Sequence, residues 1–300
     1  MAETILLTGA AGLIGRALHR RLTERGNSVI AMDRIGSDDI AACDLTEVHR
    51  LYELADKATA VLHCGAISGP MVARDNPHLI VQSNIVGTAN IFELARVKKM
   101  RRVVFLSSVS AYGSTPEGVE PVPENVTLHP SSVYGASKMA GEALAEGYLR
   151  QHGVDIVSIR PAWVYGPGRT TACAIREMIE DAQAGRPTHF PYGRDFYKQY
   201  VHVEDVAEAI LAALDAKSFG QRAYTISGDT YYTFEEVAAF VRKALPSARI
   251  SIDPGADPMD DLQARFDLSA AARDLGYKPK IGLEEGIRSY AEWLAGRNAR

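Results

Sequence analysis

Thr8-Gly9-Ala10-Ala11-Gly12-Leu13-Ile14-Gly15 follows a short apolar run, Thr4–Leu7, and opens an amphipathic helical pattern over Leu13–Arg25. A glycine-rich turn in that context has a distinct job for each glycine. The first permits the tight turn, the second lets the backbone approach a pyrophosphate, and the third allows close helix packing. The helix N-terminus then stabilises the anionic charge. The spacing here is GxxGxxG rather than GxGxxG. It makes Gly9, Gly12, Leu13, Ile14 and Gly15 candidate dinucleotide contacts.

Asp33 ends the next β-branched run, Ser28–Met32, where a carboxylate would bond the adenosine ribose hydroxyls. A carboxylate there repels the extra phosphate of NADP, so the expected cofactor is NAD. Arg34 could accept that phosphate only if Asp33 rotated away. Asp44-Leu45 follows in a short loop, suited to accepting from the adenine amino group and packing the ring. After the third run, Ala60–His63, the small residues of Cys64-Gly65-Ala66 would let phosphate and ribose come near the backbone. His63 has no nearby metal-ligand partner in sequence and reads as a packed strand-end histidine, so no metal site is expected.

Tyr134-Gly135-Ala136-Ser137-Lys138 supplies the chemistry. Tyrosine and lysine at i and i+4 share one helix face. A free phenol, with a pKa near ~10, is a poor base at neutral pH. A neighbouring ammonium would lower that value and allow proton exchange with a substrate oxygen. The same ammonium could bond the nicotinamide ribose. Ser108, at the end of the run Arg102–Leu106, offers a hydroxyl to hold that oxygen.

The first half alternates strand runs (a fifth is Asp155–Ile159) with helical patterns near Glu47–Leu54, Ile85–Arg96 and Tyr134–Gln151. This is the signature of a doubly wound parallel sheet, an α/β fold. The connection from Ser114 to Ser132 carries Pro116, Pro121, Pro123 and Pro130, which prevent helix and central strand. Its place after a strand end puts it over the ligand crevice. Beyond Arg160 come helical patterns near Thr171–Ala184, Val203–Ala216, Phe234–Leu245 and Leu283–Leu294. Shorter strands are expected near Thr188–Phe190, Tyr224–Ser227 and Ile250–Ile252, and Thr233 with Glu236 forms a capping-box pattern. Pro254, Gly255 and Pro258 mark a loop. The expected division is a dinucleotide-binding domain over 1–165, with 200–228 returning to it, and a smaller, split substrate lobe from 166–199 and 229–300.

The net charge of −4 gives no electrostatic footprint for nucleic acid or an anionic membrane. The basic group Lys98, Lys99, Arg101 and Arg102 reads as a solvated helix end. No run approaches the ~20 apolar residues of a membrane helix, and the N-terminal residues lack a secretory pattern. The three cysteines, Cys43, Cys64 and Cys173, have no ligand or disulfide spacing, so the expected setting is cytoplasmic.

Taken together, these motifs resemble an extended short-chain dehydrogenase/reductase of the NAD-dependent epimerase/dehydratase family, over nearly the whole length. The glycine turn, Asp33, Asp44-Leu45, Asn84, Ser107-Ser108 with Tyr112-Gly113, and Tyr134/Lys138 carry the resemblance. Arg160-Pro161, Tyr165-Gly166-Pro167-Gly168, Tyr200–Val206, Leu275–Pro279 and Glu285-Gly286 extend it. It implies a Rossmann fold, with Ser108 as catalytic serine, Tyr134 as acid/base and Lys138 as its partner. It also implies that Asn84 supports the cofactor site, that Ser107 lines it, and that Pro161 and Val164 face the nicotinamide. The helices carrying Ile85–Arg96 and Tyr134 resemble the pair that forms a homodimer contact.

Within that family the same triad serves epimerases, dehydratases, reductases and dehydrogenases, and fold does not choose between them. Trp163 stands where nucleotide-sugar epimerases resembling this chain often carry asparagine. Lys198-Gln199 replaces an arginine–aspartate pair associated with diphosphate binding. Gly65–Ser68 is similar to a segment of uronate dehydrogenases, although Val109 and Ser110 depart from that group. The resulting expectation is NAD-linked oxidation of a sugar, polyol or sugar acid. Nucleotide-sugar epimerisation is the alternative, and a catalytically silent NAD-binding regulator a remote one. Arg169 is the candidate to bind a substrate carboxylate. Ser68, Ser110 and Arg194 are further substrate-site candidates.

Overall fold

The computed structural model describes residues 3–228, 230–257 and 260–298. Its main sheet joins β1 (Thr4–Thr8), β2 (Ser28–Asp33), β3 (Ala41–Ala42), β4 (Ala60–His63), β5 (Arg102–Leu106) and β6 (Ile156–Pro161) to β10 (Ala223–Ile226). The order is β10-β6-β5-β4-β1-β2-β3, and every pairing in it is parallel. Parallel strands are covered on both faces, so their residues are apolar almost without interruption. Ile5, Leu6 and Leu7 are all fully buried, each contributing about 1.5–3 kcal/mol of burial energy.

Alternate side chains serve opposite layers. Ile5 and Leu7 pack with Leu18, Val206 and Ile210, under helices α1 (Leu13–Glu24) and α7 (Val203–Asp215). Leu6 packs with Leu51, Ile91 and Phe92, under α2 (Val48–Leu54) and α4 (Gly87–Val97), with α5 (Val133–His152) alongside. After β3 the chain crosses back over β1 to form β4. The strand order therefore reverses between β1 and β4, where the carboxyl ends of the strands part to leave a crevice.

A second layered unit has its own core of Ile175, Met178, Phe234, Val237, Ile287 and Tyr290. It is built from α6 (Ala174–Gln183), α8 (Phe234–Ala244) and α10 (Leu283–Asn298) with two small sheets. One has the order β11-β9-β7, with β7 (Trp163–Tyr165), β9 (Tyr197–His202) and β11 (Tyr231–Thr233). The other pairs β8 (Pro187–Phe190) with β12 (Arg249–Ile252) in parallel. The Thr233–Glu236 capping box forms as the sequence indicates.

Several expectations are corrected. The segment containing α9 (Ser269–Leu275) leaves the second lobe: Phe266, Ala270, Ala271 and Tyr277 pack into the core around the main sheet. The proline-rich connection does not cover the crevice. Its backbone is tied to 262–267, with Val122 bridged to Phe266 and Thr115 N–H donating to the Leu262 carbonyl. The helix expected from Ile85 begins earlier, with α3 (Pro77–Ile80) capped by Asn76, and continues through a π-helical stretch at Val81–Val86. Pro258 lies outside the described residues.

The basic group is not simply solvated either. Arg102 is 7% exposed, pairs with Asp155 at 2.7 Å, and donates to the carbonyls of Ala213, Leu214 and Ala216. It thus satisfies the carbonyl end of α7, where a cation is favoured. Arg101 pairs with Glu3, and Lys98 with Asp56.

Candidate active site

A cleft of about 470 Å³ runs along the carboxyl ends of β1, β2, β4, β5 and β6. Its floor is the glycine turn. Gly9 has φ +70, and a Cβ there would stand 2.7 Å from the Cys64 carbonyl carbon and the Gly65 nitrogen. A Cβ on Gly15 would collide with the Gly9 carbonyl oxygen. Gly12 precedes α1 and gives it no side-chain cap, which leaves the helix N-terminus open to an anion. Asp33 is fixed at the next strand end: its carboxylate accepts from Ala11 N–H at 3.0 Å and Arg34 N–H at 2.7 Å. Arg34, Asp44, Leu45, Cys64, Gly65 and Ala66 continue the wall. A backbone cradle that no side chain can fill, an open helix end and a fixed carboxylate together fit a dinucleotide.

The turn is held from below by a buried polar chain. The Thr8 hydroxyl accepts from Gly65 N–H at 3.0 Å and meets His63 Nδ1 at 2.8 Å. His63 Nε2 meets the Thr88 hydroxyl of α4 at 3.0 Å. The consistent assignment has Thr8 donating to Nδ1 and Nε2–H donating to Thr88. His63 also stacks on Phe105 with centroids 5.7 Å apart, and burial drives its pKa down to about 3. It is the packed strand-end residue that the sequence suggested.

At the other end, Ser108, Tyr134 and Lys138 come together. Ser132 caps α5, accepting from Gly135 N–H at 3.0 Å. Gly135 lets the helix lie against the Ser110 carbonyl, which a Cβ would strike. The Ser68 and Ser108 hydroxyls stand near the Tyr134 hydroxyl. Burial raises its pKa, while those two hydroxyls and the positive charge of Arg169 pull it back. Lys138 is 3% exposed and donates to the Leu106 carbonyl at 2.6 Å. Burial lowers its pKa to about 8. The ammonium was expected to depress the phenol. Instead it turns toward the strand-end carbonyl, 5.8 Å from the centre of the Tyr134 ring, and Arg169 is the cation that acts on the phenol.

Asn84 does not line the cleft. It is buried in the π-helical stretch, accepts from Ile67 N–H at 2.8 Å, and donates to the Ile67 carbonyl and Ser137 hydroxyl, each at 3.0 Å. It therefore ties the loop carrying Ser68 to the turn between Tyr134 and Lys138. Ser107 lines the cleft, but its hydroxyl donates to Glu142, which forms a buried pair with Arg160.

Ser68, Ser110, Pro161, Val164 and Arg169 all line the cleft, as expected. Arg194 does not. Its Nε donates to the Ile252 carbonyl in the second lobe, because β8 and β12 draw that loop onto their own sheet. Met71, Thr170 and Thr171 line the cleft without having carried a recognisable sequence signal.

Residues 5–227 match the profile described as "NAD dependent epimerase/dehydratase family". The UDP-glucose 4-epimerase of Mycolicibacterium smegmatis is 30% identical over 316 residues, covering 98% of this chain and 99% of its own. The UDP-glucose 4-epimerase of Thermus thermophilus, solved in complex with NAD, is 29% identical with a TM-score of 0.86, covering 98% of this chain and 99% of that one. The UDP-glucose 4-epimerase of Thermotoga maritima, solved with UDP-glucose, reaches a TM-score of 0.91 at 24% identity with the same coverage, a likeness of fold.

The buried histidine gives a pH signature. Between about pH 6.5 and pH 3, His63 is protonated in the unfolded chain and neutral in the folded one. The unfolded state then binds more protons, so stability rises with pH across this window and is lost as pH falls, by about 1.4 kcal/mol per pH unit. Depressed carboxylates such as Glu3 and Asp274 give both proteins some slope here, so chemical denaturation should show a steeper slope in the wild type than in His63→Asn, by up to about 1.4 kcal/mol per pH unit. Parallel pH dependences would contradict the assignment.

Proposed function

The chain belongs to the NAD dependent epimerase/dehydratase family, and on that premise we propose that Ser108, Tyr134 and Lys138 form its catalytic centre for NAD-linked hydride transfer at a carbohydrate hydroxyl. The observation that carries this reading is the convergence of the Ser108 and Tyr134 hydroxyls at the inner end of the cleft, with Lys138 buried beneath them.

The cofactor-binding roles fall on residues already placed. The glycine turn and the start of α1 would hold the pyrophosphate of NAD, and Asp33 would accept from its adenosine ribose. Asp44 and Leu45 would flank the adenine, and Pro161 and Val164 would border the nicotinamide. When bound, NAD supplies the hydride acceptor. Ser108 and Tyr134 hold the substrate oxygen, and the Tyr134 oxygen takes its proton. Lys138 anchors the tyrosine helix to the strand end through the Leu106 carbonyl, and a bond to a ribose hydroxyl of bound NAD would be its second role. Asn84 is a positioning residue that fixes Ser68 and the Tyr134–Lys138 turn. Asp33 disfavours the additional phosphate of NADP by like-charge repulsion.

The names of the relatives favour a second reading at the same triad, in which the oxidised sugar turns over and is reduced again, giving an epimer with no net redox change.

Burial holds the Tyr134 phenol above its ordinary pKa, and oxidation needs the deprotonated form. The kcat/KM for oxidation should therefore rise with pH through the alkaline range. Tyr134→Phe should lower turnover by about 10²–10⁴-fold while leaving NAD binding intact by calorimetry. Undiminished turnover in that variant would remove Tyr134 from the mechanism.

We also propose a homodimer formed across the helical face that carries α4 and α5. Leu79 of α3, Val86 of the π-helical stretch and Val133 of α5 are exposed on elements that pack against one another, which supports this reading, since exposed apolar side chains mark association surfaces when they lie together. Sedimentation should give twice the chain mass and Val86→Glu should halve it; a monomeric wild type would contradict the proposal.

A further inference from the structure

The substrate end of the cleft differs from its cofactor end in how its cations are used. Arg169 follows the Tyr165–Gly168 turn, and its guanidinium is held by two backbone carbonyls, those of Val164 and Ala172, the latter at 3.0 Å. Carbonyls orient a guanidinium without cancelling its charge. Nε is buried with no hydrogen-bond partner, and no ion pair to Arg169 is formed among the described residues. A guanidinium presents five N–H donors in a planar fork suited to carboxylate. Each terminal nitrogen of this one gives one N–H to a carbonyl and keeps its second, and its charge reaches the Tyr134 phenol.

Lys198 is used in the opposite way. It lies behind Trp163, 4.8 Å from the ring centre, and contacts Asp260 at 2.8 Å and Asp257 at 3.1 Å. Its side chain is only 12% exposed. One ammonium between two carboxylates leaves the local charge negative. The space enclosed behind Trp163 with Lys198, Gln199, Asp260 and Phe266 is about 10 Å³, enough for about one water. Lys198 therefore offers no free positive charge to a diphosphate, and Trp163 closes the space behind it.

We infer that the substrate is a small, unactivated polyhydroxy carboxylate, bound through its carboxylate by Arg169, and that nucleoside-diphosphate sugars are excluded. The inference rests on the hydride-transfer reading above for the reacting hydroxyl, and it specifies what stands beside that hydroxyl. Arg169 then serves twice: its charge favours the tyrosinate, and its fork sets which carbon of the acid faces Tyr134.

The test is equilibrium binding to the wild-type protein saturated with NADH, a complex that cannot oxidise an alcohol and so reads recognition apart from turnover. The probes are D-gluconate, D-galactonate, D-glucuronate and D-galacturonate, with sorbitol and glucose as neutral counterparts and UDP-glucose as the activated sugar. At least one acid should bind about 10–100-fold more tightly than its neutral counterpart, and UDP-glucose more weakly than that acid. Arg169→Met should remove the preference for the acid, and Arg169→Lys should restore part of it. Three results would overturn the inference: tighter binding of UDP-glucose than of every acid, no binding by any acid, or an acid affinity unchanged in Arg169→Met. The wild-type comparison stands even if the variants fail to fold. Absence of an acid preference in the wild type, with Tyr134-dependent turnover intact, would fault the substrate class alone. Tyr134-independent turnover would fault the catalytic reading instead.

Discussion

The site depends first on the contact between the end of β1 and the end of β4. Gly9 turns the chain with a positive φ at the one place where a side chain would strike the backbone of Cys64 and Gly65. Beneath it, Thr8 receives Gly65 N–H and links through His63 to Thr88. A strand order that reverses between β1 and β4 opens a crevice there, and this contact fixes how close its two walls stand. The open end of α1, the Asp33 carboxylate and the small residues of the β4 loop all take their positions from it.

The catalytic end depends on a different kind of constraint, the burial of charge. Lys138 is taken out of water and given a single carbonyl partner, which costs free energy unless something else offsets it. The adjoining polar groups are tightly satisfied: Asn84 bonds Ser137 and Ile67, and Glu142 pairs with Arg160. Such networks rigidify the surrounding helix and loop. Tyr134 consequently meets Ser108 and Ser68 in a fixed arrangement, with Arg169 as the cation that acts on the phenol.

Much of this was legible in the sequence, and the limits are instructive. Five of the six strands from β1 to β6 (all but the two-residue β3), the glycine turn, Asp33, Ser108 and the Tyr134–Lys138 spacing could be read because each is a local pattern with a local physical reason. β7, β9 and β11 were missed because their pairing is between distant segments, and Trp163-Val164-Tyr165 and Tyr231-Tyr232-Thr233 are too short to announce a strand. The tie of the proline-rich connection to 262–267 is likewise a long-range contact that composition does not report. Arg102 looked like a surface cation, since nothing near it in sequence reveals Asp155 or the end of α7. Arg169 and Lys198 are both cations in the second half of the chain. Only tertiary structure separates the one held by carbonyls from the one held by carboxylates.

The central claim is that the cradle formed by Gly9 and Asp33 holds NAD. Calorimetric titration of the wild type and of Gly9→Ala with NAD and NADP tests it most directly, with circular dichroism to establish that the variant keeps its fold. The account predicts NAD binding at least about 10-fold tighter than NADP, from repulsion at Asp33, and loss of NAD binding in folded Gly9→Ala. Equal or tighter binding of NADP, or NAD binding undisturbed in the variant, would contradict it.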